Sequence, residues 1–355
     1  MESEKLETLG QWIVFLSKNI KEFQRLKMYL RYVVLLYSRN IPVVFDLKHL
    51  SACLSLNIDT CASLINCPQS FYYNFSIPKR NGTLRQISAP FPVMYHAQIW
   101  IYKSILQKIK VHDCAVGFLP NKSIINNALP HLNNPIVLKM DLKDFFPSIK
   151  IEKVINILNK QGYTKKVSYY LASICCLDKA LPQGAPTSPM LSNIIAYYLD
   201  KRLYCLALKW NLVYTRYADD ITFSGEKIPV RFIKYVTDII ENEGFNVNEN
   251  KTQLLSKSKR KVITGISISS GKMTVPKEKR REIRQIIYYI KTKGISSHMR
   301  RIDSYDPLYI ERILGYLYFW KYVEPDNLFV MDSIALLKQI QFNSFDFLSP
   351  EDYLF

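Results

Sequence analysis

Two adjacent aspartates between strand-like segments constrain this chain more than any other feature. Asp219 and Asp220 stand between residues 212–216 and residues 221–224, and both flanking runs are rich in β-branched and aromatic residues. Such runs around a short break predict a β-hairpin whose tip carries both carboxylates. Neighbouring acids repel each other unless a cation neutralises them, and Mg²⁺ prefers hard oxygen ligands of this kind. On its own, an Asp-Asp pair is more typical of a solvated turn.

A third acid favours the metal site over the solvated turn. Asp141 stands inside the apolar run 136–142, which predicts a strand. A carboxylate in such a run needs a partner, so Asp141 is either a satisfied structural acid or a metal ligand. Pairing of the two strands would bring Asp141 to Asp219 at one Mg²⁺ cluster. Two ions about 3.5–4 Å apart can stabilise the attacking and leaving oxygens of a phosphoryl displacement.

The charge of the chain indicates the class of its partner. A formal net charge of +18 favours a polyanion, either nucleic acid or an anionic membrane surface. No apolar run reaches the about 18 residues of a spanning helix, and residues 1–5 show no signal peptide. The seven cysteines form no CxxC pair, which is typical of reduced thiols. We therefore expect no membrane-spanning segment and a cytoplasmic location.

Three boxes in order resemble the motifs of reverse transcriptases. They are DLKDFFPSI at 141–149, LPQGAPTSP at 181–189 and YADD at 217–220. The resemblance extends from about Phe71 to about Val275. Within that superfamily the chain is similar to bacterial retron reverse transcriptases, which carry an NAxxH box and a Val-Thr-Gly triplet. Here the corresponding residues are NALPH at 127–131 and, with Ile in place of Val, ITG at 263–265.

The resemblance implies an α+β fold, the right-hand polymerase fold with fingers, an antiparallel palm sheet and a helical thumb. We expect an N-terminal helical region at 1–70, a fingers and palm domain at 71–275 and a helical thumb at 276–355. Asp141, Asp219 and Asp220 would be the catalytic residues and the Mg²⁺ ligands.

The resemblance also implies a nucleotide site. Asn81-Gly82 between alternating runs predicts a hairpin, and its cations could clamp a triphosphate. Phe146 would be a steric gate against a 2′-OH, while Phe145 belongs to the core. The nucleotide-binding residues implied in this way are Lys79, Arg85, Phe146, Gln183 and Lys251. Composition alone leaves the hairpin cations and Lys251 as solvated charges, and Phe146 as core.

Other patterns predict local elements. The apolar stripe of Phe23, Leu26, Leu30, Val33, Val34 and Tyr37 predicts a helix packed on the core. Ser188 and Pro189 predict the N-cap and first residue of a helix, and Gly244 the end of another. Residues 262–275 predict a hairpin around Ser270-Gly271. We assign the NALPH box with His131 no chemistry, only contacts with RNA or with the rest of the fold.

The segment after Pro276 combines an isoleucine stripe with many cations. Ile283, Ile286, Ile287 and Ile290 predict an apolar helix face. Its cations form either a solvated face or a track for the phosphate backbone. The nucleic-acid-binding residues that we predict here are Lys277, Arg280, Arg281 and Arg284.

The retron resemblance implies a specific substrate and set of partners. The template would be a cognate structured noncoding RNA, and the primer a 2′-OH of an internal guanosine. With dNTPs, this gives a branched, RNA-linked single-stranded DNA. Retron systems serve in anti-phage defence, so an effector (toxin) protein encoded nearby is a further candidate partner.

Two rival functions stay open at this stage. One is another bacterial reverse transcriptase, of the group II intron or abortive-infection type, although endonuclease and maturase-like extensions are not visible. The other is a non-catalytic RNA-binding scaffold on a polymerase fold, against which the three acids and Phe146 argue. The oligomeric state is not predicted.

Overall fold

A computed structural model describes residues 8–79, 82–256, 258–304 and 306–345. Asn81 of the predicted turn, and the outermost residues of the predicted N-terminal and thumb regions, lie outside these ranges. The strands are β1 (Tyr72–Pro78), β2 (Leu84–Pro90), β3 (Ile136–Asp141), β4 (Val213–Tyr217), β5 (Asp220–Gly225), β6 (Gln253–Leu255), β7 (Val262–Ile263) and β8 (Ile266–Ser267).

The α-helices begin before the first strand and dominate the chain. They are α1 (Leu9–Asn19), α2 (Phe23–Ser38), α3 (Leu47–Cys53), α4 (Ile58–Asn66), α5 (Pro92–Ser104), α6 (Ile124–Ala128), α7 (Phe145–Ser148), α8 (Ile151–Lys160), α9 (Lys165–Cys175), α10 (Ser188–Ile195), α11 (Tyr197–Lys209), α12 (Val230–Asn242), α13 (Lys277–Lys293), α14 (Ile295–Arg301), α15 (Tyr309–Val323) and α16 (Leu328–Phe345).

The strands of the described residues form two hairpins and one larger sheet. β1 pairs with β2 and β7 with β8, in both cases antiparallel. The larger sheet has four strands in the order β4-β5-β3-β6. Helices combined with antiparallel strands confirm the predicted α+β class.

The chain divides into two compact units. The first comprises Met1–Asn121, Lys139–Ile221 and Ile228–Gln253, and the second comprises Lys122–Leu138, Thr222–Lys227 and Leu254–Phe355. In the second unit, helices α13, α15 and α16 share a core that includes Ile283, Ile287, Leu317, Trp320 and Leu337. The division at residues 70 and 275 stays a prediction.

Several predicted elements of the first unit are confirmed. The run around Asn81-Gly82 is the β1–β2 hairpin, in which Phe75 lies opposite Ile87. Helix α12 ends at Asn242, and Gly244 follows with φ 73°, a conformation that favours glycine.

The stripe at residues 23–37 is helical as predicted, but most of it does not pack on the core. Of its six members only Val33 is fully buried, together with Leu36, which we had not included. Phe23 is 70% exposed. Apolar residues occur on more than one side of α2, so periodicity does not decide which side packs. Four members of the stripe line an open groove of about 550 Å³ in the first unit, namely Phe23, Leu26, Leu30 and Val34.

Two further local predictions need correction. Helix α10 begins at Ser188 with Thr187 as its N-cap residue, and the Ser188 hydroxyl instead donates a hydrogen bond of 2.7 Å to the Pro182 carbonyl. Residues 262–275 contain a tighter hairpin, since β7 and β8 turn at residues 264–265. Only Ser267 and Thr274 pair across the predicted turn, exchanging two backbone hydrogen bonds of 2.8 and 2.9 Å.

All seven cysteines are free thiols, as expected from their spacing. Among the described helices, none is both long and apolar enough to cross a bilayer.

Candidate active site

The predicted acid hairpin is present in the fold. β4 ends at Tyr217 and β5 begins at Asp220, so Asp219 lies in the turn between them. Ala218 adopts φ 57°, in the left-handed region that non-glycine residues seldom occupy. A Cβ atom on Gly117 would lie 2.8 Å from the Ala218 nitrogen, so only glycine allows this approach. The turn is therefore tight, and the backbone at Gly117 packs directly against it.

Asp141 lies beside this turn at the end of β3. The Leu142 amide donates a hydrogen bond of 3.0 Å to the Asp219 carbonyl, which connects the residue after Asp141 to the turn. On its other side, the Asn248 amide donates to the Asp141 carbonyl at 2.8 Å. Asp141 is 6% exposed. The backbone thus holds all three aspartates in one region of the first unit.

The Asp141 carboxylate already has a cationic partner. Lys251 Nζ lies 3.0 Å from Oδ1 and 2.8 Å from Oδ2, and Asn248 Nδ2 donates to Oδ1 at 3.1 Å. The Lys251 side chain is 60% exposed, so the pair lies at the edge of the site. We had expected Lys251 near a polyphosphate, whereas the structure places its ammonium on Asp141. Asn248 was missed, although it stands three residues before Lys251 in the same segment.

The other two carboxylates show the effect of crowding. The pKa of Asp220 is raised to about 6, first by burial and then by the neighbouring Asp219, while Lys139 acts in the opposite direction. Burial and then Asp141 raise the pKa of Asp219, and Lys251 and Arg85 oppose them. Buried like charges disfavour ionisation unless positive charge is supplied. The site is therefore electrostatically unsatisfied without a cation.

A divalent cation fits the chemistry of this donor set. Within the described ranges, no three His, Cys, Asp or Glu side chains converge closely enough to hold a metal as they stand. The Lys251 ammonium, however, occupies both oxygens of Asp141, which shows that this carboxylate attracts a cation. Carboxylate oxygens are the ligands that Mg²⁺ takes alongside substrate phosphates.

The hairpin cations and Gln183 line one cavity of the first unit. Lys79, Arg85 and Gln183 all border a space of about 500 Å³. Arg85 lies on β2 opposite Ile77 and is close enough to lower the pKa of Asp219. The Lys79 amide donates to the Thr83 carbonyl at 2.7 Å, at the base of the turn. The structure thus brings together three of the five predicted nucleotide-binding residues.

Gly184 allows the hairpin to meet the segment that carries Gln183. The Ser88 amide on β2 donates a hydrogen bond of 2.8 Å to the Gln183 carbonyl. A Cβ atom on Gly184 would lie 2.6 Å from the Ser88 carbonyl oxygen, and Gly184 has φ 131°. Both observations require glycine at this position.

The two adjacent phenylalanines differ in burial. Phe145 is 4% exposed and packs on Phe245 at 5.7 Å between ring centroids, as expected of a core residue. Phe146 is only half-buried, and its ring lies 6.1 Å from that of Phe118. Phe118 in turn lies 6.1 Å from Tyr217, next to the acid turn. Phe146 is therefore at the border of the site rather than in the core.

The predicted basic residues lie on α13 of the second unit, but not in equivalent environments. The isoleucine face is buried at Ile283, Ile287 and Ile290, as predicted. Lys277 and Arg281 are exposed, whereas Arg280 is half-buried. The Arg284 guanidinium lies 5.6 Å from the Trp320 ring centre and 5.3 Å from that of Phe329. Two of the four cations are therefore partly engaged in packing.

The NAxxH and ITG boxes meet within the second unit. Asn127 Nδ2 lies 3.4 Å from the Thr264 hydroxyl, and His131 Nδ1 lies 2.6 Å from the Ser224 hydroxyl on β5. Burial lowers the pKa of His131 to about 3, so the ring is neutral. This arrangement agrees with a structural role for His131. Sequence reasoning had left the connection between the two boxes unnoticed.

Comparisons with known proteins identify the family of the chain. The sequence model of the family described as "Reverse transcriptase (RNA-dependent DNA polymerase)" matches residues 77–286. The chain is 35% identical to the retron Ec86 reverse transcriptase of Escherichia coli, over 70% of this chain and 79% of that protein. It is 36% identical to the retron Mx162 reverse transcriptase of Myxococcus xanthus, over 61% of this chain and 52% of that protein.

A third relative gives the same picture. The retron Mx65 reverse transcriptase of Myxococcus xanthus is 32% identical over 66% of this chain and 59% of its own length. The matched segments therefore span between about half and four fifths of these relatives.

The glycine at 184 gives a stability test of the connection between the hairpin and the Gln183 segment. Gly184→Ala should lower the free energy of unfolding by about 1–3 kcal/mol, because it introduces both a clash and backbone strain. Gly315→Ala is the matched control, since nothing lies within 4 Å of its added Cβ. This control lies inside α15 and should stabilise by up to about 1 kcal/mol. Equal urea midpoints for Gly184→Ala and the wild type would contradict the close approach.

Proposed function

Because the chain belongs to the reverse transcriptase family, as a retron-type RNA-directed DNA polymerase, we propose that it copies a cognate structured noncoding RNA. The product would be a branched, RNA-linked single-stranded DNA, primed from a 2′-OH of an internal guanosine. All three relatives described above are named as retron reverse transcriptases, which supports this substrate class. The observation that carries the chemistry is the crowding of Asp141, Asp219 and Asp220 at one edge of the first unit.

In the proposed mechanism the three aspartates hold Mg²⁺. When bound, the metal supplies charge stabilisation to the reacting phosphate and activates the primer hydroxyl. The raised pKa values of Asp219 and Asp220 support this assignment, because burial and then the neighbouring carboxylates raise them, and a cation would favour the charged forms. Lys251 would leave Asp141 when the metal enters, and its exposed side chain has the freedom to do so. Its released ammonium would then be available to the polyphosphate.

The incoming nucleotide would occupy the cavity beside the acids. Lys79 and Arg85 would clamp its triphosphate, with Arg85 offering a bidentate fork. Gln183 would line the base and sugar, and Phe146 would lie under the ribose, where a ring excludes a 2′-OH. The common cavity of Lys79, Arg85 and Gln183 and the half-buried state of Phe146 support these roles.

The basic helix α13 would hold the nucleic-acid backbone. Lys277, Arg281 and Arg284 are exposed, although the Arg284 guanidinium also lies over the Trp320 ring, and Arg280 would add charge from a half-buried position. Contacts of this kind position the duplex without reading sequence. We further propose the division into an N-terminal helical region (1–70), fingers and palm (71–275) and thumb (276–355), a role in anti-phage defence, and an effector protein as partner.

Loss of charge at the acid turn tests the catalytic assignment. Asp219→Asn should lower DNA synthesis by about 10³-fold or more, because the amide cannot hold the metal charge. RNA binding should persist, since the substitution preserves shape. Primer extension and an RNA gel shift measure the two properties on one preparation. Asp238→Asn, at an exposed position on α12, is the matched control and should keep full activity. Undiminished synthesis by Asp219→Asn would leave the scaffold function as the better account.

The sugar specificity tests the role of Phe146. Phe146→Ala should raise the ratio of ribonucleotide to deoxyribonucleotide incorporation by about tenfold or more, because removal of the ring opens room for a 2′-OH. Phe145→Leu should instead lower stability and leave that ratio unchanged, since Phe145 belongs to the core. Single-nucleotide incorporation on one template gives the ratio. An unchanged ratio in an active Phe146→Ala enzyme would contradict the role of Phe146 as a steric gate.

Salt dependence tests the proposed backbone contacts of α13. Reversal of Lys277 and Arg281 to Glu should weaken RNA binding and reduce the slope of log K against log salt by about 1–2, because each lost phosphate contact retains one more counterion on the RNA. The exposed pair is chosen so that packing is unaffected. Reversal of Lys201 and Lys234, both exposed on helices of the first unit, controls for net charge. Equal slopes for the two double variants would make the α13 charges a solvated face.

A further inference from the structure

A fully buried cation lies directly behind the acid turn. Arg216 on β4 is 0% exposed and stands two residues before Ala218. Removing a guanidinium from water is costly unless it is paired and its donors are satisfied. Since no part of Arg216 reaches the surface, it cannot contact the template, the primer or a nucleotide. Its role must therefore be exerted on other groups of the protein.

Asp200 on α11 holds one edge of this guanidinium. Arg216 Nε donates to Asp200 Oδ1 at 2.7 Å, and Nη2 donates to Oδ2 at 2.6 Å. Asp200 is also 0% exposed, and its Oδ1 accepts a further hydrogen bond of 2.7 Å from the Tyr214 hydroxyl. Burial acts to lower the pKa of Arg216, and Asp200 outweighs it, so the pKa is raised above its usual range. The pair is a fixed, bidentate ion pair.

The remaining nitrogen of the guanidinium points to the turn. Arg216 Nη1 donates to the Ala218 carbonyl at 2.9 Å and to Asn193 Oδ1 at 3.1 Å. Asn193 in turn donates through Nδ2 to the Gly117 carbonyl at 2.8 Å, and Gly117 backs the Ala218 nitrogen. The Ala218 carbonyl belongs to the peptide bond that carries the Asp219 nitrogen. The guanidinium therefore fixes the plane of the peptide that introduces the acid pair.

We propose that Arg216 is a positioning residue for the acid turn. Asp200 sets the orientation of the guanidinium, and the guanidinium holds the left-handed Ala218 through its carbonyl. This constraint sets the direction in which the Asp219 and Asp220 carboxylates leave the turn. The inference rests on the proposed function of those carboxylates as metal ligands.

Stability of the fold alone does not require this arrangement. A buried ion pair can be replaced by well-packed apolar residues without loss of stability, and often with a gain. Asp200 uses only Nε and Nη2, so a purely structural pair would leave Nη1 free for any acceptor. In this protein the third nitrogen donates to the Ala218 carbonyl, directly before the acids, and to Asn193, which itself bonds to the Gly117 carbonyl behind the turn. This use of the third nitrogen points to the acid turn.

Three variants separate positioning from packing. Arg216→Met leaves Asp200 buried without its partner and should lower the melting temperature by roughly 5–10 °C. The triple variant Arg216→Met/Asp200→Leu/Tyr214→Phe removes every polar group of the pair at similar volume, and its melting temperature should return towards that of the wild type. Arg216→Lys can keep the charge pair with Asp200 but cannot supply the fork together with a third donor.

The readouts are primer extension and the binding of Mn²⁺ alone, followed by electron paramagnetic resonance without nucleic acid. In the triple variant and in Arg216→Lys, kcat should fall by about 100-fold, with a smaller change in KM for the dNTP. The dissociation constant for Mn²⁺ should rise by about tenfold or more. A folded triple variant with wild-type kcat and Mn²⁺ affinity would make Arg216 a packing residue only.

Two further outcomes can still be interpreted. If the triple variant does not fold, Arg216→Lys decides the question, since full activity and Mn²⁺ affinity in that variant would overturn the proposal. If the wild type itself binds Mn²⁺ but makes no DNA, the proposed function fails. The Mn²⁺ affinities of the variants then still test the role of Arg216.

Discussion

Mutual repulsion among three carboxylates is the constraint around which the first unit is organised. Asp141, Asp219 and Asp220 are held near one another by backbone hydrogen bonds, and burial followed by repulsion raises the pKa values of Asp219 and Asp220. A free chain would separate these groups. The fold keeps them together by fixing the backbone rather than the side chains. The free energy that opposes this crowding makes the site receptive to a cation.

The cations around the three carboxylates differ in how deeply they are buried. Arg216 is buried and fixed behind the turn, whereas Lys251 is exposed and touches Asp141 directly. Arg85 acts on Asp219 from the hairpin of β1 and β2. A fixed cation can orient the backbone permanently, while a mobile one can leave when a metal and a triphosphate arrive. The distribution of burial among the cations thus matches the different tasks proposed for them.

The sequence predicted the elements that depend on local patterns. The acid hairpin, the strand that ends at Asp141 and the helix stop at Gly244 were all recognisable, because alternation, apolar runs and glycine act over a few residues. The buried side of α2 was not, since apolar residues on several sides of a helix leave its orientation to tertiary packing. The N-cap of α10 was misplaced by one residue for a similar reason. There the Ser188 hydroxyl bonds to the Pro182 carbonyl instead of capping the helix.

The site itself was predictable only in part. The three acids were found from their strand context, and the nucleotide residues from the family resemblance. The contacts that support them join distant segments, as in the pair of Arg216 with Asp200 and that of Lys251 with Asp141. An arginine inside a strand run is a signal for such a buried pair, because a lone guanidinium would not be tolerated there. Its partner, however, could not be read from spacing.

The hydrogen bond between Ser88 and Gln183 also anchors the β1–β2 hairpin at one point along β2. Ser88 cannot move without disturbing the close approach of Gly184, so any rocking of β1 and β2 pivots there. Displacement grows with distance from the pivot, at about 3.3 Å of strand per residue. Arg85 stands three residues away and sweeps a short arc, while Lys79 lies nearer the tip and sweeps a longer one. If Lys79 and Arg85 bind a triphosphate as proposed, it would meet Arg85 already in place and draw in Lys79 second.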